Sequence, residues 1–225
     1  MLVTGIFTAQ RVITATGYDL SFYNALLITG FIVTLISLLS SVLSRSQFLG
    51  VIVLPLGAVC VTLNLFFYHA TATPVSQFSL GLELHILLSI TAFSLFGLSA
   101  VQAVLLYMQE RQLKHHQSPH LFAALPSLHE NEVSLHHFNV AGFTLLTFAL
   151  LTGFIYLDNI FAQHLAHKTV LSLIAWGVFA VLLTGRYRFG WRGITAVRWT
   201  LVGFIVLVLA YLGSKLVLEM ILNRP

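Results

Sequence analysis

Uncharged apolar stretches recur along this 225-residue chain, and each approaches the roughly 20 residues that a helix needs to cross about 30 Å of hydrocarbon. The pattern predicts about six membrane-spanning helices, near residues 20–43, 48–68, 84–107, 138–157, 169–185 and 199–222. No alternation of apolar and polar positions typical of β-strands competes with them. Since a chain in lipid must satisfy its own backbone hydrogen bonds, the predicted fold is an all-α integral membrane helical bundle.

Composition supports this class, because 58% of the residues are hydrophobic and only 8% are charged. A mean hydropathy of +0.92 excludes a soluble domain, whose surface needs many more polar residues. Lys215 and Glu219 interrupt the last predicted span, but residues four apart share a helical face and can pair there. The sixth span therefore stays in the prediction.

The N-terminal residues 1–19 are apolar but too short for a span, and they include Gly5 and Arg11 without a signal-peptide cleavage pattern. We predict that they form an interfacial or partly inserted segment ahead of a transmembrane domain of residues 20–222. The single cysteine, Cys60, lies in a predicted span, so an internal disulfide and a CxxC redox pair are both excluded.

Basic residues predict the orientation of the bundle. If six spans alternate, one side carries Arg45, Arg111, Lys114, Arg186, Arg188, Arg192 and Arg198, and the other carries Arg11, Lys168, Lys215 and Arg224. The excess of positive charge predicts that the first side is cytoplasmic, together with the long loop 109–136. The loops near 69–83 and 157–168 are then external. The net charge of +4 suits anionic lipid headgroups and requires no nucleic acid as a partner.

The short connection after the fifth span is rich in arginine, glycine and tryptophan. Gly190 and Gly193 permit a tight turn, and Trp191 suits the aromatic belt at a membrane surface. The arginines of this connection are predicted to hold lipid headgroups, while pairing with the carboxylates of a bound ligand is the alternative.

Ten histidines are an unusual number for a chain with so few charges. Six of them belong to the loop 109–136 or its end, namely His115, His116, His120, His129, His136 and His137. A solvated, weakly basic surface explains His115, His116 and His120, because no zinc-site spacing with cysteine or carboxylate accompanies them. No metal site is predicted for this chain.

His85 differs from these because it lies near the outer end of the third predicted span. The positions that share its helical face are mostly small or mildly polar: Ser89, Ala92, Phe96, Ser99 and Ala103. Small residues allow helices to approach closely, so we predict that His85 points into the bundle. A structural hydrogen bond and a role as a ligand remain equally open for it.

Several sequence blocks, in order, resemble the cytochrome c assembly protein family, in particular its inner-membrane YpjD-like and HemX-like branch. The blocks are LHILLS (84–89), LLT (145–147), LTGFIY (151–156), KTVLSLIAW (168–176), GRYRFGWRG (185–193) and LAYLGS (209–214). The resemblance covers roughly residues 20–222.

This family handles haem, and the resemblance implies a bundle that presents haem through histidines at helix ends. It identifies His85 as a family membrane histidine and His137 as a position that is histidine in some relatives. Members that ligate cytochrome c carry a tryptophan-rich external segment, whereas residues 157–167 contain no tryptophan. His164 and His167 are the candidates for a second ligand on the side of His85. A polar loop near headgroups is the alternative for both.

These observations predict a non-enzymatic bacterial inner-membrane protein with a role in haem binding or cytochrome c biogenesis. No phosphate-binding glycine loop and no nucleophile with an acid–base pair is present in the sequence, so no catalytic residue is assigned. Haem, membrane lipid and other membrane proteins are the expected partners. A transporter-like subunit, or a regulatory or structural partner of another membrane complex, is the alternative.

Overall fold

A computed structural model describes residues 2–14, 17–18, 22–44, 48–67, 80–114, 127–156 and 163–213. The helices are α1 (Leu2–Val12), α2 (Phe22–Ser44), α3 (Phe48–Phe67), α4 (Leu80–Lys114), α5 (Leu128–Tyr156), α6 (Gln163–Phe189) and α7 (Gly193–Val208). A π-helical turn, Leu209–Gly213, continues α7. Two-residue strands, β1 (Ile13–Thr14) and β2 (Gly17–Tyr18), pair antiparallel after α1. The predicted all-α bundle is confirmed, with this short ladder as an addition.

Five helices are long and apolar enough to cross a membrane, and their spans run over Tyr23–Ser41, Leu80–Lys114, Leu128–Tyr156, Lys168–Phe189 and Gly193–Tyr211. The remaining predicted span, 48–68, corresponds to α3, where the apolar segment Ile52–Phe67 is shorter. Pro55 lies inside α3. The prediction of about six spans therefore agrees with five long helices and one shorter apolar helix.

The predicted loop 109–136 is helical at both ends. Helix α4 continues to Lys114, and α5 begins at Leu128, ten residues before the predicted span. A capping box explains that start: the Ser127 amide donates to Glu130 Oε2 at 3.0 Å, and the Glu130 amide donates to Ser127 Oγ at 3.3 Å. This Ser-x-x-Glu signal was available in the sequence. Residues 115–126, with His115, His116 and His120, lie outside the described residues.

Helix α4 lies at the centre of the described bundle, where it contacts α2, α5 and α7. Its buried face includes Phe96, whose ring stacks on that of Phe179 from α6 with a centroid separation of 3.8 Å. Gly142 of α5 and Gly203 of α7 lie against these two rings. Because glycine has no side chain, the helices can approach closely at these two contacts while the stacked rings fill the space between them.

Replacing Gly203 by alanine is expected to lower the free energy of unfolding by about 1–2 kcal/mol. The added Cβ would lie 2.7 Å from Cζ of Phe179, so that buried ring must shift. The better helix propensity of alanine offsets part of this cost. Thermal unfolding in detergent measures the change, and Gly177→Ala is the control because, apart from its own stretch of helix, no heavy atom of the described residues lies within 4 Å of its added Cβ. Equal effects of the two substitutions would contradict the expectation.

A chain of neutral polar side chains joins α4, α5 and α7 inside the bundle. Ser99 Oγ donates to Asn139 Oδ1 at 2.7 Å, and Asn139 Nδ2 donates to Thr200 Oγ1 at 2.9 Å. All three residues are buried. Since lipid offers no replacement partner, these hydrogen bonds favour one register of the three helices over others.

The N-terminal segment is helical and contacts α2. Asn24 Nδ2 donates to the Arg11 carbonyl at 3.1 Å, and Asn64 Nδ2 of α3 donates to Asn24 Oδ1 at 2.9 Å. A Cβ on Gly5 would lie 3.3 Å from the Phe31 ring, so α1 and α2 approach closely. The interfacial position of residues 1–19 stays a prediction.

Candidate functional site

His85 lies in the second turn of α4, and its imidazole is oriented by α5. Its Nδ1 atom is 2.7 Å from the Ala149 carbonyl oxygen and 3.4 Å from Thr152 Oγ1. A carbonyl oxygen only accepts hydrogen bonds, so Nδ1 carries the proton of the neutral ring. The lone pair is therefore on Nε2, which forms no hydrogen bond with the described residues. A neutral imidazole oriented in this way is suited to ligate a metal through Nε2.

The imidazole lines a half-open cleft of about 230 Å³ between four helical elements. The lining is mostly apolar. It comprises Leu82, His85, Ile86, Ser89 and Phe93 of α4, Leu146, Ala149, Leu150, Gly153 and Phe154 of α5, Lys168, Thr169 and Ser172 of α6, and Leu207 of α7 with Ala210 and Tyr211 of the π-helical turn that continues it. Enclosed pockets for small molecules measure about 300–1000 Å³. A larger flat ligand would therefore extend beyond the cleft.

Side-chain size creates this space. Ala149 and Gly153 are the small residues of α5 that line the cleft opposite His85. Farther along the same face of α4, Ala92, Phe96, Ser99 and Ala103 are almost completely buried. The predicted inward orientation of the His85 face thus agrees with the structure.

Two residues that the sequence did not single out complete the cleft. Lys168 Nζ lies 5.4 Å from the centre of the Tyr211 ring, within the range of a cation–π contact. The Tyr211 ring stacks on Phe93 with a centroid separation of 4.8 Å. The cleft therefore combines one imidazole, one cation and two stacked aromatic rings. The signal for Lys168 was its position at the end of a span, on the side of the membrane predicted for His85.

Comparison with known proteins decides the family. The model of the cytochrome C assembly protein family matches residues 20–222, which is most of the chain. The chain belongs to the cytochrome c assembly protein family. It is also 32% identical to the inner membrane protein YpjD of Escherichia coli K12, over 92% of this chain and 78% of the relative.

Two further relatives match shorter parts. An uncharacterized 28.8 kDa protein of Azospirillum brasilense is 33% identical over 63% of this chain and 53% of the relative. The cytochrome c biogenesis protein CcsA of Lolium perenne is 29% identical over 33% of this chain and 24% of the relative. No solved structure matches this family member.

The structure separates His137 from His85. His137 is exposed on α5, with its ring centroid 6.3 Å from that of His136. Ala149 and Thr152, which contact His85, lie three to four turns farther along α5, roughly 20 Å at 1.5 Å per residue. The two imidazoles therefore do not converge on one iron. A binding role for His137 stays a prediction about a separate site of this cytochrome c assembly protein.

His164 and His167 lie in the first turns of α6, which begins at Gln163, and not in the predicted loop 157–168. Their side chains are outside the described residues. His167 directly precedes Lys168, a residue that lines the cleft of this cytochrome c assembly protein. The described residues contain no group of three histidine, cysteine or carboxylate side chains that could hold a metal ion.

Proposed function

We propose that this membrane protein binds haem through His85 and acts in haem handling or cytochrome c biogenesis without catalysing a reaction. The observation that carries the proposal is the hydrogen bond from His85 Nδ1 to the Ala149 carbonyl, which leaves Nε2 available in the cleft. Haem supplies four equatorial nitrogens and needs from the protein only axial ligands and an apolar surface. An isolated, oriented imidazole fits that requirement.

The remaining cleft residues have complementary roles in this proposal. Lys168 would pair with a propionate carboxylate, while Phe93 and Tyr211 would contact the apolar macrocycle. His164 or His167 would supply a second axial ligand, and His137 would serve another site or another stage of haem passage. Because the cleft is small for a macrocycle, part of the ligand would remain accessible to lipid or to a partner protein.

The relatives support the cellular setting. The Escherichia coli relative is named an inner membrane protein, and the plant relative is named a cytochrome c biogenesis protein. We therefore place this chain in the bacterial inner membrane, with haem, lipid and other membrane proteins as partners. The positive-charge pattern supports an external cleft and a cytoplasmic position for residues 115–126.

Haem titration of the detergent-purified protein tests the proposal. We expect a Soret band with a saturable component of about one haem per chain from the cleft, and His137→Ala is expected to keep this component because His137 is exposed far from the cleft. Empty detergent micelles measure haem that partitions without binding. A Soret signal that never saturates, or that equals the micelle signal, would overturn the proposal.

A further inference from the structure

Two adjoining grooves lie at the end of the bundle remote from His85. The first, of about 360 Å³, includes His136, Arg186 and Arg192. The second, of about 550 Å³, includes Arg111, Lys114, Arg192 and Arg198 together with Glu110. Arg192 lines both grooves, so its guanidinium group lies between them.

Local structure positions Arg192 there. Gly190 and Gly193 adopt positive φ angles of 65° and 54°, so the connection from α6 to α7 turns tightly, as their sequence predicts. Trp191 between them packs on Gly185 and stacks on Trp199 with a centroid separation of 5.6 Å. The partly buried indole anchors the turn, while the neighbouring Arg192 side chain is exposed.

The charge at this end is strongly positive and largely unpaired. The grooves contain five permanent cations and one carboxylate, that of Glu110, which pairs with Lys114 at 3.4 Å. Nearby, Glu132 accepts from the Gly193 amide at 3.0 Å. Among the described residues, none of the four arginines of the grooves has a carboxylate within 4 Å. An anion would therefore find guanidinium groups that make no direct ion pair with the described residues, although Glu132 is close enough to act on the charge of Arg186.

Apolar side chains surround the same end. Tyr187 is 89% exposed, Phe189 is 74% exposed and Leu113 is 65% exposed. These residues are near the ends of the membrane-spanning segments of α6 and α4, where hydrocarbon gives way to headgroups. An anion that carries acyl chains can therefore place its charged group in a groove and its chains along the adjacent helices.

We propose that the paired grooves bind an anionic phospholipid with two phosphates, of the diphosphatidylglycerol class, with one phosphate in each groove and Arg192 between them. Guanidinium groups bind phosphate oxygens through charge-assisted, often bidentate hydrogen bonds. Basic pockets between membrane helices are suited to such headgroups. The proposal concerns the opposite end of the bundle from the cleft and does not depend on haem binding.

Native mass spectrometry of the full chain in detergent, with added lipids, tests this site. We expect diphosphatidylglycerol to bind at least about tenfold more tightly than phosphatidylcholine, and more tightly than phosphatidylglycerol, which has one phosphate. Arg192→Gln is expected to remove most of this preference because both grooves lose the shared guanidinium. Arg188→Gln is the matched control, since Arg188 is exposed on the same turn and lines neither groove.

Other outcomes overturn the proposal. Equal losses in Arg192→Gln and Arg188→Gln would show that general surface charge binds the lipid. Saturation by millimolar inorganic phosphate, with no gain from acyl chains, would show a site for free phosphate. A loss of the Soret band in Arg192→Gln, without a change in lipid binding, would assign the arginine to haem carboxylates. Arg198→Gln repeats the test in the second groove if the first variant folds poorly.

Discussion

Replacing His85 by alanine is expected to abolish the saturable Soret band and to weaken haem binding by more than about 100-fold. His85 is the one imidazole that the described residues place in the cleft, and its Nε2 lone pair is the proposed bond to iron. Loss of a group that only orients a metal ligand lowers the affinity for the metal about 10–100-fold, so loss of the ligand itself should lower it further. Absorption titration of the two proteins side by side measures the difference.

Chemical rescue distinguishes ligation from a structural role of His85. The alanine variant leaves a space shaped like the lost ring, so free imidazole is expected to restore the band in His85→Ala. Thr152→Val should have a small effect, because its hydroxyl is 3.4 Å from Nδ1 whereas the Ala149 carbonyl is at 2.7 Å. If the His85→Ala variant folds normally and binds haem as tightly as the parent protein, His85 is not the haem ligand.

Replacing Asn139 by leucine is expected to lower the free energy of unfolding by about 2–4 kcal/mol. The substitution removes both hydrogen bonds that Asn139 makes and leaves Ser99 and Thr200 without their partner in a buried position. Hydrogen bonds between membrane helices average about 0.6 kcal/mol by themselves, so most of the cost comes from the stranded polar groups and the altered packing. Unfolding in mixed detergent measures the loss.

A double-mutant cycle separates these contributions. Thr200→Val combined with Asn139→Leu should cost less than the sum of the single changes, because the second substitution removes a group that the first had stranded. Thr144→Val is the control on α5, where the Thr144 hydroxyl only returns to the Val140 carbonyl on an exposed face. Its effect should stay below about 0.5 kcal/mol. Strict additivity of the two core substitutions would show that Asn139 and Thr200 are energetically independent.

The sequence predicted the helices better than their ends. Apolar length identifies a span because the thickness of the bilayer sets it, but the helix continues wherever backbone hydrogen bonds and caps allow. Helix α4 therefore runs past its apolar segment to Lys114, and α5 starts at the Ser127–Glu130 capping box. For the same reason α6 begins at Gln163, so His164 and His167 lie in a helix and not in the predicted loop.

The candidate site was predicted only in part. The periodicity of α4 indicated the inward face of His85, because every third or fourth residue shares a side of a helix. It could not indicate that Ala149 accepts from that ring, nor that Lys168 and Tyr211 complete the cleft, since these residues come from three other elements. The partners Asn139 and Thr200 were missed for the same reason.

The sequence by itself determined that this chain forms a helical membrane bundle, that it resembles the cytochrome c assembly proteins and that His85 faces inward. These properties depend on composition and on local periodicity, and the periodicity is a property of each helix by itself. Only the tertiary structure decided which nitrogen of His85 is available, why His137 cannot share its site, and that Arg192 joins two grooves. Each of these depends on the register between helices, and packing across the bundle sets that register.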